Sequence, residues 1–168
     1  MNSMRELKLE KVVLNIGIGE GGDRLAKAEK VMERLTGMTP ARTFARKTIR
    51  EWGIKEGSPI GCMVTLRGEK AWEMLGRLLE AVERKVRRES FDNEGNFSFG
   101  IKEHIDIPGV SYDPDLGIFG MDVCVKIGRA GDRIKHRSRM SRKLPRKQRV
   151  AAEEAINFMT EKFGVQVV

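Results

Sequence analysis

The sequence predicts an α+β fold: a single domain with a mainly antiparallel sheet, about three helices packed on one face, and a basic excursion before the C-terminal helix. Three observations lead there. Apolar residues recur at a period of two in some segments and near 3.6 in others. No βαβ unit repeats, which argues against a doubly wound parallel sheet. The positive charge is concentrated in one window rather than spread along the chain.

The elements follow in order. Leu14, Ile16 and Ile18 alternate, so residues 8–18 form a strand with Asn15 and Gly17 on its other side. Residues 19–23 form a turn. Leu25, Ala28, Met32 and Leu35 keep helical spacing until Gly37, a natural helix stop. Pro40 opens irregular strand pieces that end in a turn at Gly57–Pro59. Ile60, Cys62, Val64 and Leu66 alternate with Gly61, Met63, Thr65 and Arg67. Residues 69–86 are expected to form the strongest helix, on a stripe of Trp72, Leu75, Leu79, Val82 and Val86. Phe97, Phe99, Ile101 and Ile105 predict a strand with Ser98, Gly100, Lys102, His104 and Asp106 facing away. Met121, Val123, Val125 and Ile127 make the last long strand, and Ala152, Ile156, Met159 and Phe163 the last helix, stopped by Gly164.

The chain has 168 residues, 40% of them apolar, which suits one core spanning residues 1–168 and leaves too little for a second. A charged fraction of 33% and the lack of an uncharged run of about 18 residues exclude a spanning helix, so no membrane partner is expected. The opening MNSMRELKLEK carries no apolar signal segment. Cys62 and Cys124 stand singly in apolar runs, which points to a reducing cytoplasm. With two histidines and no C-x-x-C, neither a metal nor a cofactor is expected.

About three helices cover one face of such a sheet. The other is left with Asn15, Met63, Thr65, Arg67, Lys102, His104, Asp122 and Lys126, short polar and basic groups suited to RNA sugar and phosphate edges. The chain's net charge is +8. Residues 129–149 hold ten basic side chains and one acid, Asp132, so this window carries +9 and the remainder −1. A solvated face is normally mixed in sign; this pattern reads as a phosphate-contacting arm, disordered until phosphates neutralise it.

Other motifs read as structure. GIGEGG at residues 17–22 matches the dinucleotide fingerprint, but Glu20 and Asp23 put negative charge where a pyrophosphate would sit, and no acid-ended strand follows. His104 and His136 have no nucleophile signature beside them, so catalysis is not expected. In residues 42–59, Arg42, Arg46, Lys47, Arg50 and Lys55 surround two aromatics. Basic residues interleaved with aromatics suit RNA. Phe44 reads as core, while Trp52 is equally compatible with core packing and base stacking.

Three long stretches carry a resemblance: LEKVVLNIGIGEGGDRLAKA, TGMTPARTFARKTIREWGIKEGSPIGCMVTLRGEKAWEML and NFSFGIKEHIDIPGVSYDPDLGIFGMDV. Together they resemble the 5S rRNA-binding family of the fifth large-subunit ribosomal protein, from about Leu7 to Val168. The excursion RAGDRIKHRSRMSRKLPRKQR is similar to that of archaeal and eukaryotic members. The resemblance implies a non-enzymatic ribosomal protein of the central protuberance that attaches 5S rRNA to large-subunit rRNA, contacts P-site tRNA, and bridges to a small-subunit head protein. It implies 5S rRNA contacts at Asn15 and Thr65, to which the same sheet face adds Arg67, Lys102 and His104. A third family contact falls on Met38, which offers no amide. The loop approaching tRNA corresponds to KTIREWGIKEGSP, with Arg46, Arg50, Lys55 and Ser58 as contacts. Arg133, Lys135, Arg137, Arg139, Arg142, Lys143, Arg146 and Lys147 are the arm residues expected on rRNA. A free RNA-binding regulator using the same surfaces is the competing reading.

Overall fold

Alternation of buried and open side chains builds the strands, as the pleat requires. In β1 (Leu7–Gly17), Leu9, Val12, Leu14 and Ile16 are buried. The odd spacing from Leu9 to Val12 means that the inward side changes parity between them. In β3 (Pro59–Leu66), Cys62, Val64 and Leu66 are buried, and in β6 (Met121–Arg129), Met121, Val123, Val125 and Ile127. The structure, a computed structural model, describes residues 3–168, with side-chain burial from Met4 onward; Met1 and Asn2 of the opening segment lie outside the described residues.

The sheet has five strands in the order β2-β3-β1-β6-β5, where β2 is Ala41–Phe44 and β5 is Phe97–Ile101. β2 runs antiparallel to β3, pairing Ala41 with Met63, Arg42 with Cys62 and Thr43 with Gly61, and its register shifts after Thr43. A parallel pair, β4 (Lys85–Val86) with β7 (Gln166–Val167), forms a second small sheet. Three α-helices complete the α+β fold: α1 (Asp23–Thr36), α2 (Glu69–Ala81) and α3 (Ala152–Phe163).

The backbone groups into two compact units. The first comprises Val13–Leu66 and Gly100–Val123. Here α1 packs against β3 and buries Leu25, Ala28, Val31, Met32 and Leu35. It stops at Gly37, whose φ of 63° is left-handed and whose N–H reaches the Glu33 carbonyl at 2.7 Å. The Arg42 guanidinium grips Glu29 of α1 through Nε (2.5 Å) and Nη2 (3.1 Å). Among the described residues the second unit comprises residues 3–12, Arg67–Phe99 and Cys124–Val168. In it, α2 buries Ala71, Met74, Leu75, Leu78 and Leu79, and α3 buries Ala155, Phe158 and Met159. Trp72 joins the two helices by stacking on Phe163 at 5.0 Å and meeting Phe158 edge-on.

Three local expectations are corrected. The helix expected to reach Val86 ends at Ala81, because Glu83 and Arg84 take left-handed φ values of 55° and 56°. The chain reverses there, Arg84 N–H closing on the Leu79 carbonyl at 2.8 Å, and Val86 is buried in β4 instead. Phe44, expected in the core, is 57% exposed, beyond the register shift in β2.

The third correction removes His104 from the open face. β5 ends at Ile101 and the chain turns through a 3-10 segment, His104–Asp106, that buries the ring to 3% exposure. His104 N–H donates to the Phe119 carbonyl (2.9 Å), and its Nδ1 accepts the Phe119 N–H (3.3 Å), fastening both ends of the intervening loop. Burial pushes the imidazole below its ordinary value of 6.5, against the opposing pull of Glu103. Protonation would also place a proton on the atom that accepts from Phe119.

The unfolded chain therefore takes up this proton first as the pH falls. The His104 contribution is complete above 6.5 and is lost as the pH drops through the lower folded value. Thermal denaturation of wild type is expected to show stability declining as the pH is lowered below 6.5. His104→Gln, which keeps an acceptor and cannot titrate, flattens that decline; an unchanged pH dependence means that His104 is not its source.

Candidate nucleic-acid interface

Side chains on β1, β2 and β3 that alternate away from α1 form the open face of the first unit. Thr43 lies opposite Gly61, and Ala41 opposite Met63. Thr65 follows two residues further along β3, and Asn15 lies on the neighbouring β1. Gly61 makes this region flat. A Cβ there would lie 2.5 Å from the Ile16 carbonyl oxygen, 2.9 Å from Thr43 Oγ1 and 3.3 Å from Gly17 Cα.

Asn15 and Thr65 are half-buried, and no hydrogen bond among the described residues occupies the Asn15 amide or the Thr65 hydroxyl. Neither is among the buried polar atoms left without a hydrogen bond among the described residues, such as Asn96 Oδ1 and Arg129 Nε. Both groups are thus held on strands and open to a partner. Arg67 and Lys102, each directly after a strand, are exposed. Lys126, alternating to the same side of β6 in sequence, is instead committed within the second unit to Glu10 (2.6 Å) and Asp132 (2.5 Å).

Residues 45–58 form a closed finger. Ala45 N–H donates to the Ser58 carbonyl and Gly57 N–H to the Ala45 carbonyl, both at 2.9 Å. Ile49 and Ile54 exchange bonds at 2.8 and 3.0 Å, and Thr48 Oγ1 accepts the Glu56 N–H at 3.1 Å. The tip is a 3-10 turn, Arg50–Trp52, ended by Gly53 at φ 65°. Arg46, Arg50 and Lys55 are exposed, while Ser58 is half-buried with its backbone in the ladder. Trp52, left undecided by the sequence, is 71% exposed at the tip.

The arm belongs to the second unit. Arg133, Arg137, Arg139, Arg142, Lys143, Arg146 and Lys147 are exposed. Arg137 folds back, donating from Nε and Nη2 to the Met140 carbonyl at 3.0 and 2.7 Å. Lys135 departs from the expected set of contacts: its ammonium lies 3.1 Å from Asp132 and 3.5 Å from Glu94, with little of the side chain exposed. Asp132 also meets Lys126, and although burial alone would raise its carboxyl, bonds from Lys126 and Lys135 hold it below the usual range. The sequence showed this acid only as an exception within a basic run; one of its partners, Lys126, comes from β6 outside that run, and the other, Lys135, from one turn further along it.

Cys62 and Cys124 are both thiols, and burial together with the charge of Glu29 pushes Cys62 up to about 11, leaving it inert at neutral pH. Among the described residues no group of three or more His, Cys, Asp or Glu side chains could hold a metal, and no helix is long and apolar enough to cross a membrane. Polar side chains on a firm sheet, a basic aromatic-tipped finger and a cationic arm suit RNA.

The comparison with known proteins agrees. Residues 2–55 match the family described as "Ribosomal protein L5", and residues 59–158 match the C-terminal part of the same ribosomal family. The chain belongs to the ribosomal protein L5 family. "Large ribosomal subunit protein uL5" of Sulfurisphaera tokodaii is 50% identical over 169 residues, covering 100% of this chain and 96% of that one. The protein of the same name from Methanosphaera stadtmanae is 50% identical over 167 residues, covering 99% of each chain. That from Pyrobaculum aerophilum is 49% identical over 164 residues, covering 98% and 92%. This member of the family is a structural protein of the large ribosomal subunit and not an enzyme, and it works in the cytoplasm on the ribosome.

Close packing at Gly61 gives a direct test of the sheet. Gly61→Ala forces a methyl against the Ile16 carbonyl and is expected to destabilise the protein by about 1–3 kcal/mol. Urea denaturation measures this, and a change below about 0.5 kcal/mol would show that β1 and β3 are not packed as described.

Proposed function

We propose that this ribosomal protein binds 5S rRNA through the open sheet face and helps attach it to large-subunit rRNA in the central protuberance. Asn15 and Thr65 are the principal 5S rRNA contacts, with Arg67 and Lys102 beside strand ends adding charge; His104 is withdrawn because its ring is buried. The observation that carries this reading is the pair of strand-held polar groups with no partner among the described residues. Such groups give up hydration on binding and fix orientation on folded RNA, whereas exposed arginines supply affinity that salt weakens.

The finger extends the same function to P-site tRNA, through Arg46, Arg50 and Lys55, with Ser58 at its base. The exposed Trp52 ring gives that tip a stacking surface. Within the assembled ribosome the protein also bridges to a small-subunit head protein. The arm takes large-subunit rRNA, with Arg133, Arg139, Arg142, Lys143, Arg146 and Lys147 as its available charges.

Asn15→Ala or Thr65→Ala is expected to weaken 5S rRNA binding by ~1 kcal/mol or more per lost contact, with little change in melting temperature. Filter binding beside calorimetry measures both; parallel losses of binding and folding would make these residues structural. If about five arm charges meet phosphates, affinity for large-subunit rRNA falls with salt at a log–log slope of roughly −3.5 to −4.5. Replacing Arg139, Arg142 and Lys143 together with Ala should flatten that slope by about two to three units. A slope that stays the same would place the arm on something other than phosphate.

A further inference from the structure

A run of ten basic residues with one acid repels itself, and on charge alone it stays disordered until phosphates arrive. The geometry at its base opposes that expectation. Arg129, the first residue of the run, has a mostly buried side chain that bonds to residues near the other end: Nη1 donates to the carbonyls of Lys147 (3.2 Å) and Arg149 (3.4 Å). Its Nη2 donates to Glu154 Oε1 at 2.7 Å, and Oε2 of the same carboxylate accepts the Ala151 N–H at 3.1 Å, tying the start of α3 to the closure. One guanidinium thus closes a loop of about twenty residues, whose closure entropy then need not be lost on RNA.

Asp132 forms a second clamp three residues on. It takes Lys126 of β6 at 2.5 Å and Lys135 of the arm at 3.1 Å, and each cation has a further acid, Glu10 on β1 and Glu94 in the loop before β5. Gln148 Nε2 donates to the Met4 and Ala130 carbonyls at 3.0 and 3.2 Å, fixing the returning strand of the arm. Further out, Ser141 Oγ donates to the Lys135 carbonyl at 3.1 Å, and the Arg137 guanidinium clasps the Met140 carbonyl. Met140 itself is left-handed at φ 53° and 74% exposed.

We propose that Arg129 and Asp132 are positioning residues: they hold the arm in its RNA-binding shape before RNA is met, so that a preformed cationic surface docks and no disordered tail has to fold. This rests on the reading of the arm as an rRNA contact. The neutralised charges gather at the base, on Lys126, Arg129 and Lys135, while Arg139, Arg142 and Lys143 face outward without an acidic partner among the described residues. Acids drawn from β1, α3 and the loop before β5 thus offset repulsion where the backbone is fastened and leave it unopposed where phosphates would bind.

Asp132→Asn separates positioning from charge by the sign of its effect. It raises the net charge by one, so a purely Coulombic arm binds rRNA more tightly, whereas a positioned arm loses affinity. With deproteinised large-subunit rRNA as the probe, Asp132→Asn and the charge-preserving Arg129→Lys are each expected to bind about tenfold more weakly, with the log–log salt slope retained. Equal or tighter binding by both overturns the proposal. The Arg139, Arg142 and Lys143 alanine variant separates the two layers. If it flattens the slope while the positioning variants bind like wild type, positioning alone fails; if it too binds like wild type, the arm's rRNA contact fails with it.

Hydrogen exchange on the RNA-free wild type needs no variant to fold. The amides of His136 and Arg137, both bonded to the Arg133 carbonyl at 3.0 Å, should exchange at least about tenfold more slowly than in an unstructured peptide. Exchange at the unstructured rate there overturns a preformed arm.

Discussion

Everything in this fold depends on the pleat having two sides and the chain having helices enough for one. In the first unit, Leu14, Ile16, Cys62 and Val64 turn inward, and α1 packs on β3. The same backbone must then present Asn15, Thr43, Met63 and Thr65 outward, because strand neighbours cannot share a face. No separate device is needed to create a polar recognition surface: burying one set of residues creates the other. Rigidity comes with it, since the side chains that would orient RNA stand on strands whose reverse is core.

The finger and the arm solve a different problem, that of extending charge away from a core without losing shape. The finger does so chiefly with backbone, a short ladder from Ala45–Ser58 to Ile49–Ile54 to which the Thr48 hydroxyl adds one bond. The arm lacks a ladder and uses side chains, with ion pairs and carbonyl clasps replacing strand pairing. A tail without such fastenings would lose its conformational freedom only when it met RNA.

Much of this was legible in the sequence. Period-two runs locate β1, β3 and β6, Gly37 and Gly164 mark two helix ends, and Asn15 and Thr65 are assigned to the open side by alternation. The departures have two causes. Nothing local to Val82–Lys85 marks a helix end, since the reversal uses Glu83 and Arg84 in left-handed conformations without glycine. His104 continues a strand pattern by count, and it is the approach of Phe119, fifteen residues on, that buries it. Lys135 reads as one more arm charge until Glu94 is placed beside it. For His104 and Lys135 a partner distant in sequence decides the outcome, whereas at the end of α2 the reversal is closed locally, on the Leu79 carbonyl.

The short terminal strand of the large sheet has a bearing on the time before assembly. A ribosomal protein waits free in a crowded cell, and an unpaired sheet margin there invites a second copy to add its own strand. β2 offers little to copy: four residues long, it slips register after Thr43, and its central Arg42 is pinned across to Glu29. That arginine, which the sequence offers as one more cation for RNA, is instead held against α1, and the slipped register leaves an added strand few aligned backbone groups to pair with.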